Sequence, residues 1–376
     1  MATRRLTFRY PFEGRPAPIP LAGFVSYMPD TYLKLSGVSM QAAFREKGLE
    51  NLYRRLERHK DQMAQDLASK AARLEKLFNE MFDGLEVSEN AQPFVDDLKL
   101  GVGCMEARQR VNSRMLIECL FLGMGIEPSA WQRRHCHLVV LERASWQAQQ
   151  LFEAGDRSEA VDFMVSHPLL SALLWPAMEE ALRKAPNLET LLPLRAAMSL
   201  DAHLGWLAAW DIDVCEKRRD AKSQFTCLLP SQNHPGRNPT SLLFDELKRR
   251  SRASSIHEML DGCSDQSEPE IGDWSAGKHF PDLGKLEKLM KAHGLEDPDD
   301  TLYPQFGATK LINLLGYLGQ SLSDRARKKG EPPALWPWPA YPFDHPDFES
   351  WAAARYPYWL TYHRENGEVL ANLAKR

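Results

Sequence analysis

Nowhere does the 376-residue chain gather the ~18–20 consecutive apolar residues that a membrane-spanning helix needs. The first 24 residues have no uninterrupted apolar run of the ~7–15 residues used by a secretory signal, because arginines and prolines break every one. No two of the six cysteines, Cys104, Cys119, Cys136, Cys215, Cys227 and Cys263, are spaced as CxxC. Reduced thiols in a cytoplasmic protein are the expectation. No GxSxG, GxxxxGK[ST] or HExxH is present, and no GxGxxG follows a strand pattern, so no catalytic residue and no cofactor is expected. A large excess of cations is also lacking. The net charge of −4 excludes a chain that coats nucleic acid along its whole length. With 43% hydrophobic and 26% charged residues, the composition is that of an ordinary folded protein.

Weaker chemical signals read as structural. His135-Cys136-His137 would place both histidines on one face of a strand, but zinc needs a further ligand and no second cluster supplies it, so no metal site is expected. Glu246-Leu247-Lys248 has the ExK spacing of a nuclease class, yet it falls in a helical pattern rather than on a strand. Asp297, Asp299 and Asp300 lack the glycine turn and later Glu of a calcium loop. His203, His257 and His293 lie in helical patterns with no acid–base partner at a fixed spacing.

What is present is helical periodicity, and the expected fold class is all-α. Five prolines in 1–40 predict an extended arm. A helical domain is expected over 41–230. It opens with a long amphipathic helix over 41–83, which carries the basic run Arg54, Arg55, Arg58 and Lys60. Further helices are expected at 93–124, 128–154, 157–166, 169–184, 188–210 and 211–222, with a turn at Gly155-Asp156. The stretch 231–241, rich in proline and polar turn formers, reads as a linker.

Residues 242–330 form the next expected unit, and its 242–296 part reads as four short helices. The first, Leu242–Arg252, buries Leu243, Phe244 and Leu247. Ser254 or Ser255 caps the second, which carries Ile256, Met259 and Leu260. Ser267 caps the third, with Pro269 in its first turn, and it runs to Trp274. Pro281 and Asp282 open the fourth, which Gly294 stops. Ile271, Trp274, Gly277 and Pro281, followed by Leu286, Leu289 and Gly294, match a known spacing. The segment resembles the lambda-repressor-like (Cro-type) helix-turn-helix family over about 55 residues. That resemblance implies DNA contact with the third helix as the reading helix.

Two features depart from the pattern. Gly262 to Ile271 is nine residues where the family has about six. The positions facing a groove would be Ser267, Glu268, Glu270 and Asp273, three of them acidic, and residues 256–304 hold twelve Asp/Glu against four Lys/Arg. DNA affinity rests on cations. The expected phosphate contacts are therefore Lys248, Arg249, Arg250 and Arg252, with Lys278 behind them. Under the alternative, Glu268, Glu270 and Asp273 meet a basic protein partner.

Residues 331–376 are expected to be an aromatic, proline-rich strap with short helices, the last near Phe348–Arg355 and capped by Asp347. Trp336, Trp338, Trp351, Trp359, Tyr341, Tyr356, Tyr358 and Tyr362 fall in it, and the strap is expected to lie over the protein's own core. The functional expectation is a non-enzymatic regulatory or DNA-associated protein. The alternative is a helical interaction or scaffold protein that does not touch nucleic acid. Self-association stays open, and no membrane partner is expected.

Overall fold

The computed structural model describes residues 121, 126–184, 192–219, 222–230, 237–260, 267–278, 280–281, 283–295, 302–329 and 348–376. The arm, the 41–83 helix with its basic run, Asp297 to Asp300, and the 330–347 part of the strap with its Asp347 cap lie outside them. The protein is all-α: the described residues form eleven α-helices and two 3-10 turns, with no strand. None of these helices is long and apolar enough to cross a membrane.

The helices are α1 (Arg133–Glu153), α2 (Arg157–Ser166), α3 (Pro168–Ser171), α4 (Pro176–Lys184), α5 (Leu192–Arg218), α6 (Pro239–Ser251), α7 (Ile256–Leu260), α8 (Glu268–Ser275), α9 (Leu283–Ala292), α10 (Leu302–Lys329) and α11 (Phe348–Lys375). The 3-10 turns are Pro128–Ala130 and Thr226–Leu228. The chain divides into two compact units, Met1–Ser199 with Glu368–Arg376, and Leu200–Gly367.

In the first unit α2 packs on α1, α3 and α4, and α3 packs on α1. Val139, Val140, Ala144 and Ala148 of α1 are buried, as are Ala160, Val161 and Met164 of α2 and Leu169 and Leu170 of α3. Asp156 caps α2 by accepting from the Glu159 amide at 3.2 Å. The expected 169–184 helix is two helices, because Pro176 cannot continue the first and opens the second. His135-Cys136-His137 sits in α1, not on a strand. Successive helical residues point about 100° apart, so the three side chains cannot share a face. The described residues hold no His, Cys, Asp and Glu group able to take a metal.

The second unit is built on α5. The expected break near residue 210 is absent, and one helix runs through it. The turn Thr226–Leu228 and α10 both pack against α6. Leu243, Phe244 and Leu247 of α6, Leu302, Ala308, Ile312 and Leu315 of α10, and Phe225 are buried.

The expected short final helix is in fact the 28-residue α11, with Pro357 inside it. An internal proline removes one helical hydrogen bond and costs about 3 kcal/mol or more. The offset comes from packing, because Trp351, Tyr356 and Trp359 are each fully buried. At about 1.5–3 kcal/mol for a buried side chain, those three outweigh the lost bond. Of the aromatics read as a strap, Trp351, Tyr356, Trp359 and Tyr362 are thus the buried stripe of a helix, and Tyr358 is exposed on it.

Candidate docking bundle

Helix α6 begins at Pro239, three residues before the expected start at Leu242 and inside the stretch read as linker. Asn238 caps α6: its side chain accepts from the Ser241 amide at 3.0 Å, and Ser241 Oγ accepts from the Asn238 amide at 3.0 Å. This reciprocal box satisfies two amides left open at a helix start. Pro239 sits in the first turn and is buried. The carboxamide of Asn238 also donates to the Gly277 carbonyl at 3.0 Å, which ties the start of α6 to the end of α8.

Helices α7, α8 and α9 follow the read positions. Ser255 accepts from the Glu258 amide at 3.1 Å and caps α7. Ser267 stands at the α8 N-cap but makes no side-chain cap bond. α8 ends on Gly277 at φ 72, with the Lys278 amide donating back to Asp273 O at 2.9 Å. α9 ends the same way on Gly294 at φ 67, with Leu295 donating to Met290 O at 2.8 Å. Both are left-handed glycine caps. Inside, Met259, Ile271, Trp274, Leu286, Leu289 and Met290 are buried, and the Phe244 and Trp274 rings lie 6.0 Å apart. His293 donates through Nε2 to Met259 O at 2.9 Å and so joins the end of α9 to α7.

The charged residues divide differently from the expectation. On α6, Glu246 holds two of the four expected phosphate contacts. Arg249 reaches it through Nη2 at 2.7 Å and Nε at 2.8 Å, and Arg250 through Nε at 2.7 Å. The side chains of Glu246 and Arg250 are only 11% and 14% exposed, and that of Arg249 is 70% exposed. Burial pushes the Glu246 carboxyl up, but hydrogen bonds from the two guanidinia outweigh it and hold the group below its ordinary range. Arg250 Nη2 also donates to Gln305 Oε1 on α10 at 3.2 Å. Lys248 is half-buried. Arg252 is exposed and takes a left-handed conformation at φ 59, closing α6 where glycine is usual. Lys278 is exposed and bonds Asp273 at 3.1 Å.

Of the acidic set, Glu268 is exposed, Asp273 holds Lys278, and Glu270 forms an ion pair with Lys285 of α9. Lys285 also lies 5.8 Å from the Trp274 ring centre. The structure thus brings Lys248, Arg249, Arg250 and Arg252 together on the last turn of α6. It sets Lys278 beyond α8, beside Asp273.

Sequence reading missed the residues that hold this bundle on its unit. Gln305, 1% exposed, donates to Gln224 O at 2.8 Å and lies 3.6 Å from Cys227 Sγ. Desolvation, then the nearby Glu246 carboxylate, pushes the Cys227 thiol up to about 11, so it is a weak nucleophile. Asp211 of α5, fully buried, organises the adjoining loop. It accepts from the Gln224 amide at 2.7 Å, from Ser223 Oγ, and from the Tyr356 hydroxyl of α11 at 2.9 Å. Burial, then the Asp211 charge, keeps the Tyr356 phenol well above its ordinary value. Asp201, also fully buried, accepts from Arg355 Nη2 at 3.0 Å and Nε at 3.1 Å and from Trp359 Nε1 at 2.6 Å. Each carboxylate accepts from several donors around it, which is how a charge is kept in a dry interior. The only available signal was four polar-tipped residues, Arg355, Tyr356, Trp359 and His363, at helical spacing. Nothing in the sequence names their partners.

These features define an all-α protein whose second unit carries a small four-helix bundle with much of its surface charge paired internally. No protein-family model, curated protein or solved structure matches the chain.

Proposed function

We propose that the protein is a non-enzymatic regulatory protein that docks another protein through the 237–295 bundle. The observation that carries this reading is the use of the expected phosphate-binding cations inside the bundle. Arg249 and Arg250 share Glu246, and Lys278 is on Asp273. A phosphate would have to compete with a carboxylate at each of them, and counterion release, the main source of DNA affinity, would be small. On the third helix Glu268 is exposed, while Glu270 and Asp273 already hold Lys285 and Lys278, so the helix offers a phosphate backbone no unpaired cation and offers a cationic partner Glu268 first.

DNA association is the second reading. The Cro-type spacing favours it, as do the 70% exposed Arg249 side chain and the exposed Arg252.

Binding to duplex DNA across a salt series separates the two. The docking reading expects no measurable binding near 50 mM salt. Binding that weakens steeply with salt and is lost in a Lys248, Arg249, Arg250 and Arg252 charge-reversal variant would overturn it. A basic partner captured by the full chain should be lost from the variant E268K/E270K/D273K. Capture that survives the triple change removes the acidic face from the proposal.

A further inference from the structure

Two helix starts in the first unit are closed by histidine, each in a different role of the capping box. At α3, His167 is the N-cap residue, and its Nδ1 accepts from the Leu169 amide at 3.2 Å and the Leu170 amide at 3.3 Å. At α1, Gln132 precedes the helix and its carbonyl takes the first helical bonds, from His135 and Cys136 at 3.0 Å each. His135, three residues on, accepts the Gln132 amide through Nδ1 at 3.1 Å, the place where a capping box puts Glu or Gln. A ring nitrogen accepts an N–H only while it carries no proton. Protonation replaces the acceptor with a donor aimed at backbone N–H groups, at the end of a helix that already disfavours positive charge.

We propose that the first unit contains an acid-sensitive device: as pH falls below the ordinary histidine range, proton uptake by His135 and His167 is coupled to uncapping of α1 and α3 and loosens their contact. The two helices pack on each other, so the caps belong to elements in contact. α3 is a single turn whose Leu169 and Leu170 are fully buried, too short to be stable without its cap and that burial. Each ring is also held in place by an aromatic neighbour. His135 meets Phe121 edge-on at 4.8 Å, and His167 lies 5.6 Å from Phe163.

Among the described residues, the surroundings disfavour the imidazolium. Burial lowers the His135 titration to about 4, with the Arg134 charge adding to it, and burial alone lowers that of His167. The other titratable or charged groups on α1 and α2, namely Arg133, Cys136, His137, Glu142, Arg143, Arg157, Glu159 and Asp162, do not hold either ring protonated. The direction follows from linkage. The unfolded chain binds these protons near pH 6.5 and the folded chain holds them less readily, so the stability they contribute is full above pH 6.5 and is lost as pH falls below it, for His135 toward about 4.

The test compares the full chain with H135Q/H167N, in which both acceptors remain and neither titrates. Between pH 7.5 and 5 the natural protein should lose roughly 5 °C more in Tm than the variant. Amide exchange at Leu169 and Leu170 should accelerate over the same interval in the natural protein only. Equal pH dependence in the two proteins overturns the proposal. NMR titration of the histidine rings in the unaltered chain decides it independently of whether the variant folds. Rings of His135 and His167 that protonate at or above pH 6.5 while Leu169 and Leu170 stay protected would refute it.

Discussion

Asp201 is fully buried and Arg355 nearly so, their side chains 0% and 3% exposed. A charge pair in such a place is not a net gain over well-packed apolar residues, because desolvating two ions costs about as much as their attraction returns. Its effect is conditional: each member makes the other tolerable. Arg355 donates two hydrogen bonds to Asp201 and stacks 3.9 Å from the Tyr358 ring centre, and Trp359 adds a third donor. Asp201→Asn leaves a guanidinium in the interior without its countercharge, which costs about 3–5 kcal/mol. The double replacement D201L/R355M removes both charges and leaves the Trp359 indole without its carboxylate acceptor, an expected cost of about 1–3 kcal/mol. Urea unfolding of the three proteins checks this order. A double variant less stable than Asp201→Asn would show that the pair does more than neutralise itself.

The ends of the elements show what was legible beforehand. Gly155, Gly277 and Gly294 each take a positive φ and each follows a helix, and the turn at Gly155 and the stop at Gly294 were readable because only glycine adopts that conformation cheaply. Helix α2 begins and ends as read. The start of α6 was not legible, because Asn238 and Pro239 sit in a run of turn formers that reads as linker until Ser241 completes the box. α11 was not legible for a related reason. Local proline signals argue for a break, and the burial that overrules Pro357 involves Asp201, 158 residues from Trp359.

Gly277 separates local from tertiary demand. A Cβ there would meet the Asn238 carboxamide, whereas one on Gly294 would meet nothing within 4 Å. Gly294→Ala should cost only the backbone strain, about 1–2 kcal/mol. Gly277→Ala should cost more, because it also displaces the Asn238 bond to the Gly277 carbonyl that joins α6 to α8. Thermal unfolding of both variants and of Gly277→Ala with Asn238→Ala tests this. If the second change does not narrow the gap to Gly294→Ala, Asn238 is not the obstacle.

At the scale of the whole molecule the units are not consecutive stretches of sequence. α11 gives residues up to Gly367 to the second unit and residues from Glu368 to the first. The last nine residues therefore complete a unit whose other members precede residue 200. Arg143 of α1 donates to Ala374 O at 2.9 Å and to Leu373 O at 3.3 Å, across 231 and 230 residues of sequence. It thereby satisfies carbonyls that a helix leaves open at its C-terminus, where a cation is also favoured by the dipole. Leu370 and Ala374 are each 1% exposed. Ending the chain at Gly367 removes those acceptors and that buried surface, and each charged hydrogen bond lost is worth about 1.5–3 kcal/mol. The effect should be confined to the first unit. Amide exchange in α1, around Val139 to Ala148, should rise, while the α11 residues bonded to Asp201 and Asp211 keep their protection. Arg143→Ala should reproduce part of that rise without shortening the chain. Unchanged exchange in α1 after truncation would mean that the terminal turns of α11 contribute nothing to the unit they join, and that the Arg143 bonds are surface decoration.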